Sequence, residues 1–184
     1  MMLSAVHLLS LVAIFCVVHV HGGYLSNGWY KIYEVCGGEK GCMKEVDWDS
    51  EGPGDKVSAQ PMTNSTTSWF VNHRGGGKYS FSTSCSLDCN TWNAEDHIIK
   101  GTKVSYSNGA KTLFKLERTG NIYFQGDSED KYKIIIATPE NLDGNVVDIR
   151  SDGKLGYGNT DGQKRFVFKR NFSIVSGCNC SWFR

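Results

Sequence analysis

Residues 112–136, TLFKLERTGNIYFQGDSEDKYKIII, decide the fold that this sequence predicts. Two short runs in the stretch alternate apolar and polar residues, LFKL at 113–116 and YKIII at 132–136, and a polar segment with Gly120 and Gly126 separates them. Alternation that includes β-branched and aromatic residues predicts strands, and the Gly, Asp and Ser residues between the runs predict turns. The rest of the chain consists of variations on this unit.

The composition is that of one globular domain. Of the 184 residues, 40% are hydrophobic and 21% are charged. The formal net charge is +1 and the basic residues are scattered, so no nucleic-acid partner is expected. No cofactor or metal is expected, because no CxxC pair occurs and the acidic run at 47–51 lacks the Glu that would complete a calcium loop.

The first residues predict secretion. Residues 3–20 are almost entirely apolar and Gly22 and Gly23 follow, a pattern typical of a cleaved signal peptide. A membrane anchor is the alternative, but the run is short for a span and its flanks carry no anchoring charge. We therefore expect a signal peptide at 1–22, one domain at 23–170 and a Cys-containing tail at 171–184. The mature chain is expected to be a monomer, extracellular or in an endomembrane lumen such as the vacuole, without a membrane attachment.

Cysteines and sequons agree with that location. Cys16 would leave with the signal peptide, and an even number of cysteines in a secreted chain favours disulfides. The pairs Cys36/Cys42 and Cys85/Cys89 are spaced as hairpin bridges, but the connectivity stays open. The disulfide candidates are Cys36, Cys42, Cys85, Cys89, Cys178 and Cys180. The N-x-S/T glycosylation candidates are Asn64, Asn171 and Asn179.

Strand patterns recur in three sets. Each set opens on a tyrosine, at Tyr30, Tyr79 and Tyr132, and the tyrosines are about 50 residues apart. Each set closes on an aromatic strand, and we expect Phe70, Phe114 and Phe168 to be equivalent there. Three all-strand units of about four strands predict a β-trefoil, a closed barrel capped by hairpins. A two-sheet sandwich or a lipocalin-like barrel is the alternative. The predicted strands cover residues 28–35, 43–48, 56–60, 67–72, 78–81, 97–99, 102–106, 112–116, 132–136, 145–150, 154–157 and 165–169, and a Cys-rich loop follows residue 81.

Several of these motifs, in order, resemble the Kunitz soybean-type trypsin inhibitors. LFKLER at 113–118 followed by YKII at 132–135 is similar to that family's "WF-K/R-hydrophobic-E … YKLVF" passage, and LSNGWYKI at 25–32 is similar to its opening. The same order holds for VSAQP at 57–61, Cys89 followed by Trp92, VDI at 147–149, DGKL at 152–155 and FVFK at 166–169. The resemblance covers about residues 25–170 and implies a β-trefoil.

The resemblance also implies a function. In such inhibitors, a loop after the fourth strand presents one side chain to the specificity pocket of a serine protease. Here that loop is NHRGGGK at 72–78, so Arg74 is the candidate, Lys78 is second, and His73 precedes them. A basic side chain suits a trypsin-like pocket through charge-assisted hydrogen bonds. The cysteines depart from the family, because none stands near residue 54 or within 137–147.

The alternative function is a non-inhibitory binding module for carbohydrate, a cell-surface receptor or extracellular matrix. An enzyme is not expected, since His73 and His97 lack a G-x-S-x-G or Cys/His partner signature, and residues 95–97 predict a solvated loop. Most strand aromatics are expected in the core, whereas Trp48, Trp92 and Trp182 are expected in or near loops, where they could contact sugar or protein. No Q-x-W motif of ricin-type lectins occurs.

Overall fold

In the part of the chain that the structure describes, twelve strands make up nearly all of the regular structure. The computed structural model describes residues 24–35, 43–48, 57–61, 67–83, 89–105, 109–158 and 164–173. Within those ranges, no helix is long and apolar enough to span a bilayer. The strands are β1 Gly28–Val35, β2 Met43–Trp48, β3 Val57–Pro61, β4 Trp69–His73, β5 Lys78–Ser82, β6 Cys89–Glu95, β7 Ile98–Val104, β8 Leu113–Phe124, β9 Asp127–Thr138, β10 Val146–Ile149, β11 Leu155–Gly158 and β12 Arg165–Arg170, with one 3-10 turn at Glu140–Leu142.

Six of the strands close into a ring. Starting from β1, the antiparallel pairs run β1–β4, β4–β5, β5–β8, β8–β9, β9–β12 and β12–β1. The other six strands form the hairpins β2–β3, β6–β7 and β10–β11, one in each repeat. A six-stranded barrel with three hairpins is a β-trefoil, so the predicted fold is confirmed and the sandwich is excluded. The predicted signal peptide lies outside the described residues.

The register shows which residues are equivalent. Tyr30 pairs with Trp69, Tyr79 with Phe114 and Tyr132 with Phe166, and each pair joins the first and fourth strands of one repeat. The opening tyrosines are therefore confirmed as repeat markers. Phe70 and Phe168 were the wrong closing markers. Phe70 points to the opposite face from Trp69 and meets Trp29 edge-on at 5.5 Å between ring centroids, while Phe168 lies two residues beyond Phe166.

Side chains of the three short hairpins also pack in the core, at positions that are equivalent in the three repeats. Trp92 in β6 is fully buried, with its ring 5.3 Å from Trp69 and 4.8 Å from Phe81. The expectation that Trp92 stands near a loop and contacts a ligand was therefore wrong. β6 itself, Cys89–Glu95, replaces part of the predicted Cys-rich loop. Equivalent buried positions are Ile32, Phe81 and Ile134 in the first strands, Val46, Trp92 and Val147 in the second, and Val57, Ile99 and Leu155 in the third.

The β8–β9 hairpin is much longer than the sequence predicted. Both strands continue through the polar segment, and only Gln125 and Gly126 form the turn, each with positive φ (50° and 88°). A two-residue turn of this kind matches the twist of a hairpin. The register shifts between Arg118 and Gly120, and beyond it the hairpin packs Phe124 against the outer face of the barrel. The predicted turns around Gly120 were therefore wrong.

The chain direction sets the two ends of the barrel apart. Because the ring is antiparallel, β1, β5 and β9 begin where β4, β8 and β12 end. The β4–β5 turn, the long hairpin and the outer ends of β1 and β12 therefore share one end. The three short hairpins follow the first strands and lie toward the other end. Arg170 Nη1 donates to Ser26 Oγ at 2.9 Å where the first and last strands meet.

Candidate binding groove

An open groove lies where the hairpin of repeat 3 meets the turn of the hairpin of repeat 2. Its volume is about 210 Å³, below the roughly 300–1,000 Å³ of pockets for drug-sized ligands, so a ligand there would be small. Its position follows from a strand contact, since β11 pairs with β7 through Gly156 and Ile98. The groove is lined by His97, Asp148, Ile149, Arg150, Gly156, Tyr157 and Gly158.

His97 is held by an unusual turn. Asp96 and His97 connect β6 to β7, and both have positive φ, 52° and 60°. A left-handed backbone is unfavourable for residues other than glycine, although Asp, Asn and His tolerate it best. The backbone NH of His97 donates to the Tyr157 hydroxyl at 3.2 Å, and the Tyr157 NH donates to the His97 carbonyl at 3.3 Å. Their rings stack at 5.7 Å between centroids, so the turn fixes one aromatic wall of the groove.

Gly156 makes room for the opposite wall. It pairs with Asp148 across the β10–β11 hairpin, and its lack of a side chain leaves room for the Arg150 stem. A Cβ at Gly156 would lie 2.8 Å from Arg150 Cδ and 2.9 Å from the His97 carbonyl oxygen. The Arg150 stem therefore lies directly over the Gly156 backbone. Its Nε is 3.6 Å from Asp152 Oδ2, a loose and exposed ion pair.

Asp148 supplies the acceptor of the groove. Residues 148 and 150 share one face of the hairpin because side chains alternate along a strand. Asp148 Oδ1 accepts a hydrogen bond from the Ile149 backbone NH at 2.8 Å. Its second oxygen has no protein partner in the described part of the chain. The groove thus combines a carboxylate oxygen, a guanidinium and a pair of stacked rings.

Sequence reasoning missed this site. Asp148, Arg150 and Tyr157 were assigned only to strands, and residues 95–97 were expected to form a solvated loop. Asp96 and His97 are indeed exposed, but their turn is part of the groove. The Asp152-Gly153 dipeptide between two alternating runs is a hairpin signal, yet nothing local indicates that this hairpin meets the one at 96–97.

The predicted reactive loop lies at the other end of the barrel. Arg74 N donates to the Lys78 carbonyl at 2.7 Å, and Lys78 N donates to the Gly75 carbonyl at 3.1 Å. Gly75, Gly76 and Gly77 all have positive φ (81°, 58° and 70°), so residues 74–78 form a compact turn with Arg74 half-buried. His73 sits between the rings of Tyr24 and Tyr79, 5.4 and 5.2 Å away. The turn is not an extended strand of the kind that a protease cleft pairs with.

The other predicted sites are only partly described. Cys89 begins β6 and is buried, but the other disulfide candidates, Cys36, Cys42, Cys85, Cys178 and Cys180, lie outside the described residues. Asn64 and Asn179 also lie outside. Asn171 follows β12 directly, and its Nδ2 donates to Ser68 Oγ at 2.9 Å. Among the described side chains, no three His, Cys, Asp or Glu lie close enough to hold a metal ion.

Comparisons with known proteins do not assign the chain to a family. No family model matches the chain, and no curated protein matches it. Among solved structures, the crystal structure of a designed 3-fold symmetric protein, ThreeFoil, is similar at 18% identity and a TM-score of 0.47, covering 76% of this chain and 98% of that one. The fold assignment depends on the strand pairing itself. Kinship with the Kunitz-type inhibitors stays a prediction.

Proposed function

We propose that this chain is a carbohydrate-binding β-trefoil module that takes one sugar residue in the groove at Asp148. The observation that carries the proposal is an Asp148 oxygen without a partner among the described residues, in a groove that Arg150 and the stacked rings of His97 and Tyr157 also line. Secretion, which residues 3–20 predict, would place such a module where extracellular glycans are found.

The chemistry of a sugar matches these groups. A carboxylate accepts hydrogen bonds from hydroxyls, and a guanidinium donates to hydroxyl and ring oxygens, so neighbouring hydroxyls could bridge Asp148 and Arg150. The C–H faces of a pyranose pack on aromatic rings, whose faces carry partial negative charge. The groove is shallow and open, so a terminal sugar of a larger glycan could enter while the rest stays in solvent.

The local charge favours a neutral sugar over an acidic one. Asp148 has no cationic partner among the described residues, whereas Asp152 pairs with Arg150 and Asp96 pairs with Lys100. A ligand carboxylate on Arg150 would face the Asp148 oxygen across the groove and be repelled by it. We therefore expect a neutral hexose or an N-acetylated hexosamine.

Binding to a glycan array, followed by calorimetry with the selected sugar, tests the proposal. Asp148→Asn keeps the oxygen that accepts from the Ile149 NH and removes the charge, so we expect the fold to be kept and the affinity to fall by about tenfold or more. Asp143→Asn is the matched control, since Asp143 is an exposed acid that pairs only loosely with Lys115, at 3.5 Å. Sugar binding that is equal in both variants would reject the site.

Serine-protease inhibition through Arg74 is the second candidate function. The observation that favours it is the anchoring of the turn, because His73 is held between two tyrosine rings and its NH donates to Asn27 Oδ1 at 2.7 Å. A turn whose first residue is anchored in this way would lose less conformational entropy when it binds a protease. Against it, the Arg74 NH is already bonded within the turn.

Titration of trypsin and chymotrypsin with the mature protein tests this second candidate. If Arg74 enters a trypsin pocket, Arg74→Ala should abolish trypsin inhibition and leave any chymotrypsin inhibition unchanged. Lys111→Ala is the control, because Lys111 is an exposed base outside the turn. No inhibition by the wild type at micromolar concentrations would reject the activity.

A further inference from the structure

We infer that, of the three equivalent positions among the described residues, only the one in repeat 3 binds a sugar, because Lys164 replaces a threonine that binds the equivalent polar side chain in the other two repeats. The inference rests on the proposed function and adds to it the number of sites and the residue that opens the one at Asp148. It follows from the threefold register of the barrel.

The register defines two sets of equivalent residues. Val46, Trp92 and Val147 are equivalent in the second strands, and the residue after each is polar: Asp47, Asn93 or Asp148. Trp69, Phe114 and Phe166 are equivalent in the fourth strands. The residue two places before each of these is Thr67, Thr112 or Lys164.

In repeats 1 and 2 the two sets are joined. Thr67 Oγ1 donates to Asp47 Oδ1 in a short hydrogen bond. Thr112 Oγ1 donates to Asn93 Oδ1 at 2.8 Å and also accepts from the Ala94 backbone NH at 2.9 Å. In each repeat the threonine hydroxyl holds the polar side chain of the second strand against its own repeat.

In repeat 3 this connection is broken. Lys164 has no hydroxyl, and its amine instead meets Glu34 Oε1 at 2.6 Å, a carboxylate that is only 1% exposed. The Ile149 backbone NH, which corresponds to the Ala94 NH, bonds to Asp148 Oδ1 in place of a threonine. Asp148 therefore keeps one oxygen without a partner among the described residues, and that oxygen is the acceptor of the groove.

The neighbouring position differs as well. Asn93 pairs across its hairpin with Lys100, where Asp148 pairs with Gly156. Repeat 2 therefore has the Lys100 side chain, which is engaged with Asp96 at 2.9 Å, where repeat 3 has a glycine covered by the Arg150 stem. Repeat 2 thus has a bound amide, whereas repeat 3 has a carboxylate oxygen without a partner among the described residues. In repeat 1, Asp47 is held by Thr67.

The test restores the missing hydroxyl. Lys164→Thr introduces a donor for Asp148, and Lys164→Val has nearly the same shape without the hydroxyl. Both lose the pair with Glu34, so both are made together with Glu34→Gln, which leaves no uncompensated buried charge. The probes are the methyl glycosides of galactose, glucose, mannose and N-acetylglucosamine, and a thermal melt confirms that both variants fold.

We expect the threonine variant to bind the selected glycoside about tenfold more weakly or worse, and the valine variant to bind within about threefold of wild type. Calorimetry on the wild type should give one site per chain. Equal binding by the two variants, or two or three sites per chain, would overturn the inference while leaving sugar binding intact.

If the wild type binds none of the glycosides, the proposed function fails instead. A crystal structure of the threonine variant then still decides the structural step, because Asp148 should accept a hydrogen bond from the introduced hydroxyl. An Asp148 side chain that is unchanged in that structure would overturn the inference without any ligand.

Discussion

The ring of Phe124 meets the ring of Tyr33 edge-on, with 4.9 Å between the centroids. This contact ties the long β8–β9 hairpin to the outer face of β1, away from the core inside the barrel. Val167, Met43, Val35 and Ile122 complete the cluster, and Lys169 Nζ lies 5.7 Å from the Phe124 centroid. The barrel therefore carries a second, smaller apolar cluster on its outer face, to which β1, β2, β8 and β12 contribute.

Phe124→Ala should lower the free energy of unfolding by about 1–2 kcal/mol, less than a fully buried Phe would, because the ring is only half-buried. Urea unfolding measures the change. Tyr123→Ala is the matched control on the same strand, since Tyr123 is 77% exposed and its loss should cost no more than about 0.5 kcal/mol. Equal effects of the two substitutions would show that the outer cluster adds nothing to stability.

Stability should fall at alkaline pH because two buried tyrosines resist ionisation. Burial raises the pKa of Tyr33 to about 12, with the Glu45 carboxylate adding to the shift, and burial raises the pKa of Tyr132 to about 12, with Asp130 adding to it. In the unfolded chain, tyrosine has a pKa of about 10. The folded chain therefore keeps protons that the unfolded chain loses, and the contribution is complete below about pH 10 and lost as the pH rises toward 12.

Unfolding curves between pH 8 and 12 check this sign. Tyr33→Phe and Tyr132→Phe should each flatten the alkaline decline by on the order of 1–2 kcal/mol, since phenylalanine does not titrate. Tyr24→Phe is the control because Tyr24 is 64% exposed, and its curve should follow the wild type. A decline of unchanged steepness in the two core variants would contradict the prediction.

Gly156→Ala should damage both the fold and the groove. The added Cβ would lie 2.8 Å from Arg150 Cδ and 2.9 Å from the His97 carbonyl oxygen, so the β7–β11 contact must shift. We expect a loss of about 1–3 kcal/mol in unfolding free energy. Gly158→Ala is the control, because no atom lies within 4 Å of its added Cβ. Similar melting temperatures for both variants would argue against the crowding at Gly156.

Asn171 should carry no glycan in the folded protein, although it heads a sequon. Its Nδ2, the atom that a glycan would modify, donates to the buried Ser68 Oγ at 2.9 Å, and its Oδ1 accepts from the Ser173 NH at 3.0 Å. A sugar on Nδ2 would stand against Ser68. Mass spectrometry of protein secreted from eukaryotic cells should find residue 171 unmodified. Ser173→Ala, which removes the sequon, should change each glycoform mass only by the difference between serine and alanine.

The fold could be predicted because each repeat has a recognisable strand pattern within its own stretch of sequence. Tyr30, Tyr79 and Tyr132 lie within β1, β5 and β9, and residues alternate between apolar and polar after each of them. The closing register was harder, since Trp69 and Phe70 are adjacent aromatics and alternation alone does not show which of them faces the core. The length of β8 was missed because its outer half packs on another strand and not on the barrel core, so its pattern is weak.

The groove could not be predicted for a different reason. It depends on the bridge between Gly156 and Ile98, two residues far apart in the chain, and on a turn at His97 without the glycine that usually marks such turns. Lys164 looked like any surface lysine. Only the strand register shows that Lys164 occupies the position that Thr67 and Thr112 occupy in the other two repeats.

The meeting of β1 and β12 has a practical consequence for how the molecule can be presented. The start of β1 and the end of β12 lie side by side at the end of the barrel away from the short hairpins. There Asn171 N donates to the Trp29 carbonyl at 2.8 Å. A tether fused before residue 24 or after residue 173 would emerge from that end. Immobilised on a bead or sensor chip in this way, the module would display its groove outward, unobstructed by the attachment.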